Sequence, residues 1–185
     1  MTTFEYLAVA YTLVLSLAVV RLLGGIAHAL RPGRRYWAHF SWLCLAIALC
    51  LTAFWAFLSY RELDWTLPRF ILILAGPALI YVYSSLVVPS DPSTVASWRD
   101  HFFAVRVPLF ATGILFFSVA VCTNYALLGV PLLSALNWTG YSLIVLFVAG
   151  LCSTSPPLHT FLALGWLFLF PITAALFAQP APLSP

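Results

Sequence analysis

The sequence predicts an all-α fold: a polytopic transmembrane helical bundle of about six helices with no soluble domain. Three observations point there. Of 185 residues, 63% are hydrophobic and 7% charged, against roughly 45–50% and 25% in soluble domains, so a water-facing surface cannot be assembled from this chain. Its apolar stretches reach the ~20 residues that a helix needs to cross the hydrocarbon layer. They are rich in Leu, Ala, Val and Phe and lack the apolar/polar alternation of barrel strands.

The first helix is expected at residues 4–29, with Glu5 suited to the positive end of its dipole. It does not read as a cleaved signal peptide, because Glu5 rather than a basic cluster precedes it and Arg21 interrupts its later part. Arg31-Pro32-Gly33-Arg34-Arg35 ends it. The second, at 38–60, stops at Arg61-Glu62-Leu63-Asp64, and the third, at 67–88, at Pro89-Ser90-Asp91-Pro92. The fourth, at 102–128, closes on Gly129-Val130-Pro131. A fifth is expected at 132–152. Ser134, Asn137 and Thr139 in its first half leave open a re-entrant or tilted piece, whereas Trp138 suits an interfacial anchor. The sixth spans 157–177, so residues 1–178 form one transmembrane domain, followed by a loose polar tail at 179–185. Small residues, Gly24, Gly25, Ala46, Ala48, Gly76 and Gly113, are expected where helix backbones approach.

The longest connection, residues 89–101, cannot hold a soluble domain, so any activity is housed among the helices or supplied by a partner. Three helices followed by three could form an inverted pair, with Pro77 and Pro171 inside the third and the sixth. The offsets of these prolines differ and their flanks do not align, which argues against a repeat. One set of alternating loops holds Arg31, Arg34, Arg35, Arg99 and nearby Arg106, while Arg61 and Arg69 on the other side are balanced by Glu62 and Asp64. The first set is therefore expected in the cytoplasm and both termini on the outer side.

Lysine is absent, which excludes retinal or pyridoxal Schiff bases and a P-loop. Cys44, Cys50, Cys122 and Cys152 lie in apolar segments with no C-x-x-C pair and read as small buried hydrophobes. Arg21 and Arg106 are the intramembrane suspects, since burying a cation costs roughly 2.5–3.5 kcal/mol on insertion scales. At similar depths, they could jointly hold an anion, a lipid phosphate or a carboxylate such as Asp100. The alternative is separate snorkelling to the headgroups. His28, His39, His101 and His159 are all expected near cytoplasmic helix ends and are the metal or haem candidates. No helix carries two of them at ligand spacing. All five acids fall in loops or at helix ends, which disfavours an ion-coupled pump, and no hydrolase motif occurs. Thr123 and Asn124, with Tyr81, Tyr83, Ser84 and Ser85, read as interhelical hydrogen-bonding glue.

Phe4-Glu5-Tyr6, Leu22-Leu23-Gly24-Gly25, Tyr36-Trp37-x-His39, the stretch from Phe54-Trp55 to Trp65-Thr66, and Arg99-x-His101-Phe102 with Arg106 form a further pattern. In these positions the chain resembles a family of short multi-pass bacterial inner-membrane proteins of unknown function. The likeness runs from the N-terminus through the fourth helix and implies an inner-membrane location, with no activity or ligand residues to carry over.

Three functions remain as expectations. An accessory or signalling membrane subunit, leaning away from an enzyme, fits the small loops and the lack of buried acids. An oligomeric channel or carrier for a neutral or anionic solute comes second, and a haem- or metal-binding redox protein third. The expected partners are the lipid bilayer and either another membrane protein or further copies of the chain. No catalytic residue, cofactor or nucleic-acid contact is implied.

Overall fold

A computed structural model describes residues 2–177; the expected tail lies outside them. The described residues form six α-helices and no strand: α1 Thr3–Ala29, α2 Trp37–Phe57, α3 Leu67–Val87, α4 Trp98–Leu128, α5 Ala135–Cys152 and α6 Pro156–Phe177. The first five are long and apolar enough to cross a membrane, and the sixth is apolar over Pro156–Ile172. In lipid this is the arrangement in which each segment satisfies its own backbone. α5 is a continuous 18-residue helix, about 27 Å long at 1.5 Å per residue.

Local chemistry sets the ends. Thr2 and Glu5 form a reciprocal capping box at the start of α1. α4 begins at Trp98, four residues before the apolar run suggests, because the Ser97 hydroxyl accepts from the Asp100 N–H and starts a helical turn outside the hydrocarbon. Gly129, at φ +64°, ends that helix in the left-handed conformation, and the Val130 N–H returns to the Asn124 carbonyl. α5 starts at Ala135, not 132, because Pro131 opens a turn and the Ser134 side chain caps the Leu136 N–H.

Helix neighbours close a ring in the order α1, α3, α4, α5, α6, α2, with α2 also touching α3. α2 is the most enclosed, burying Ala38, His39, Trp42, Leu45 and Ala46 among other residues. Leu13, Val20, Ile71, Val145 and Phe168 project outward. In water such a surface would aggregate, whereas in lipid it is the solvated face. Three glycines permit close packing. A Cβ on Gly25 would collide with Val88 and one on Gly113 with Phe147, while one on Gly150 would lie 2.6 Å from the Phe110 ring. Gly24 and Gly76, expected to do the same, face open space: a Cβ there meets nothing within 4 Å.

The C-termini of α1, α3 and α5 gather at one end of the ring, with the N-termini of α2, α4 and α6. This arginine-rich end is stapled by its loops. Arg34 donates to the Ser93 and Val95 carbonyls, and its own carbonyl accepts from the Trp98 N–H.

Candidate functional site

Each helix leaves its last carbonyls without intrahelical partners, and these form the negative pole of the helix dipole. Three such termini meet at the arginine-rich end. The residues singled out by the sequence satisfy them. Arg21 of α1 donates through Nε to the Val88 carbonyl at 2.7 Å and through Nη2 to the Ser90 hydroxyl at 3.3 Å, closing the end of α3. Arg106 of α4 turns Nη1 toward the carbonyls of Gly150 at 3.2 Å, Leu151 at 3.0 Å and Ser153, closing the end of α5. The two guanidinium groups share no partner. Arg21 serves one helix end and Arg106 another, and Asp100 lies exposed at the first turn of α4.

The histidines follow the same logic in part. His101 Nε2 lies 3.1 Å from the Leu86 carbonyl in the last turn of α3, and His159 Nε2 lies 2.9 Å from that of Ser153. A carbonyl only accepts, so Nε2 carries the proton in both. The Trp98 indole N–H supplies the corresponding bond for α1, donating to the His28 carbonyl at 2.9 Å. His39 differs: it is fully buried, and neither ring nitrogen meets a partner in good hydrogen-bond geometry, the Val87 backbone being the polar group beside it. Its ring stacks on Trp98 at 4.7 Å and meets the edge of His101 at 5.7 Å. His159 packs against Phe102 and stacks on Phe110, so Phe102 is interposed between it and His39. The structure thus joins His39 to His101 and keeps His159 apart, while His28 enters through its backbone. Among the described residues no group of three or more His, Cys, Asp or Glu is placed to hold a metal ion.

Beneath this layer the aromatic rings of Trp42, Phe110 and Phe147 pack against one another at 5.2–5.6 Å. Beyond them, toward the opposite end, the bundle opens into a cavity of about 300 Å³. This is the lower end of the range for ligand pockets. Its floor is Leu45, Phe117, Leu143 and Trp166, and Ser59, Tyr60, Asn124, Asn137 and Thr139 lie nearer the helix ends. Among the described residues that line it, none carries a formal charge at neutral pH. The Trp166 N–H is directed away, donating to Ser41 Oγ at 2.8 Å.

Of the residues expected to act as glue, Asn124 does so, donating to Asn137 Oδ1 at 3.1 Å between α4 and α5. The hydroxyls of Thr123, Ser84 and Ser85 return instead to carbonyls of their own helices. Asn137 carries the clearest sequence signal for the cavity: an amide in an apolar helix, now seen to be buried. Compared with known protein families, characterised proteins and solved structures, the chain matches none.

Proposed function

We propose that this chain is a non-catalytic integral membrane subunit, an accessory or signalling component that works through contact with another membrane protein or with further copies of itself. The observation that carries this reading is the destination of the intramembrane cations. Arg21 and Arg106 donate to helix-end carbonyls, and His101 and His159 do likewise. A carrier or enzyme would keep such groups for its substrate; here they hold the bundle together. The arginine distribution and the family resemblance support a bacterial inner membrane, with the arginine-rich end in the cytoplasm and both termini outside.

The cavity lends the carrier reading some support of its own. A solute would, however, have to pass the packed rings of Trp42, Phe110 and Phe147, and among the described residues no carboxylate lines the cavity to couple an ion. The haem or metal reading is weakened because only His39 and His101 meet, and no group of three or more His, Cys, Asp or Glu among the described residues is placed to hold a metal ion. Affinity purification in a mild detergent tests the proposal: a defined membrane protein, or a discrete oligomer, is expected to co-purify. Recovery of a bare monomer, or of a coloured or metal-loaded protein, counts against it.

A further inference from the structure

We infer that the cavity remote from the arginine-rich end is a binding site for one neutral amphiphile of the membrane, an aliphatic or isoprenoid chain ending in a hydroxyl group. The cavity is graded along the membrane normal. Leu45 on its floor lies about 18 Å below the end of α2 at 1.5 Å per residue, roughly the middle of a ~30 Å hydrocarbon layer. The polar residues cluster nearer the helix ends, so an occupant would lie with its chain inward and its head at the interface.

The space is built into the chain rather than left by loose packing. In the other half of the bundle, Trp42, Phe110, Phe147 and the histidine rings fill the centre. Here Ala48, Ala53, Gly76, Ala120 and Gly140 face it. A Cβ added at Gly76 would meet nothing within 4 Å. Water is a poor occupant of the floor, because a buried water needs two to four polar partners, which Leu45, Phe117 and Leu143 do not supply.

The head group is specified by what the rim has left to offer. An anion or phosphate would meet no Arg or His, since none lines the cavity. Several donors in the wall are already used. The Tyr11 hydroxyl donates to the Ala53 carbonyl at 3.2 Å and Thr52 Oγ1 to that of Ala48 at 3.0 Å. Both amide protons of Asn137 go to the Pro131 and Leu132 carbonyls. The oxygens of Tyr11 and Thr52 keep acceptor lone pairs and Ser59, Tyr60 and Thr139 add hydroxyl groups at the rim, so the matching head both donates and accepts and carries no charge. This site does not depend on whether the chain has a protein partner.

The test uses the full chain in lipid nanodiscs, with 12-bromododecan-1-ol as probe and bromine quenching of tryptophan as readout, since Trp55 and Trp166 line the cavity. Quenching is expected to saturate. Unlabelled dodecanol should displace the probe at least about tenfold better than its methyl ether or than dodecanoate held ionised at pH 9. Gly76→Leu, or Ala120→Leu on the neighbouring helix α4, should abolish the saturable component while preserving near-UV circular dichroism. Quenching that rises linearly with probe in the wild-type protein overturns the inference. So does equal displacement by the ionised acid, or saturable binding that survives both substitutions in folded protein. If neither variant folds, saturation and the order of displacement in the wild-type protein decide.

Discussion

Replacing Arg106 by alanine should destabilise the bundle by about 2 kcal/mol. Nη1 faces the carbonyls of Gly150, Leu151 and Ser153, but an Nη carries two protons, so two hydrogen bonds exist at a time. In soluble proteins bonds to a charged group contribute roughly 1.5–3 kcal/mol each. Interhelical bonds in membranes average about 0.6 and reach about 1.7. Arg106 is half-buried, so interfacial water can hydrate some of the freed carbonyls, which places the sum within the membrane range for two bonds, about 1.2–3.4 kcal/mol, and below the soluble one. Equilibrium unfolding in mixed micelles measures it. Hydrogen exchange should accelerate locally, at the amides from Gly150 to His159, whose folded position depends on that end of α5. Arg106→Lys should recover about half, since an ammonium on a flexible stem reproduces the charge but not the planar fork. If Arg106→Ala leaves both unfolding and exchange unchanged, the guanidinium is not a structural cap. A ligand or headgroup role would then take its place.

Four further outcomes follow from the geometry. Gly113→Ala should cost about 1–3 kcal/mol, because its Cβ overlaps the Phe147 ring; Phe147→Leu in the same chain should recover part of that loss in the same unfolding assay. Trp98→Phe keeps the ring stacked on His39 but removes the donor to His28, and should lower stability by about 1 kcal/mol. Gly76→Ala should raise stability by about 0.5–1 kcal/mol, since the added methyl enters open space within a helix. N-ethylmaleimide should label Cys152, which is exposed at the end of α5 rather than buried as expected, well before buried Cys50 in folded protein, while Cys122, also outward-facing but within α4, is shielded by lipid; mass spectrometry after denaturation should find Cys50 reactive as well.

The number and placement of the helices were legible because hydrocarbon imposes one simple requirement, about 20 apolar residues without a break. The start of α4 was not. Ser97-Trp98-Arg99-Asp100 looks like loop by hydropathy, yet it forms a capped helical turn in the interface. Likewise, Leu132 and Leu133 are apolar but lie in the turn that Pro131 opens. Arg21 and Arg106 stood out as charges in the wrong solvent, and their similar depth could be counted from the sequence. Their partners could not be, because every residue has a carbonyl, and only the ring order of the helices decides which carbonyls come within reach. The histidines were likewise correctly gathered at one end, while the interposition of Phe102 and the lack of a well-aligned partner for His39 are properties of packing. The cavity is the least legible feature. It is a gap bounded by residues from all six helices, and its sequence traces are small residues that also occur at tight contacts.

The claim on which the rest depends is that the intramembrane arginines serve helix ends. Solid-state NMR on [15N]arginine-labelled protein in phospholipid bilayers tests it directly. The account predicts guanidinium nitrogens within hydrogen-bonding distance of the 13C-labelled carbonyls of Val88 for Arg21 and of Leu151 for Arg106, with no close 31P. Strong 15N–31P coupling to lipid phosphate, without carbonyl contact, would contradict it.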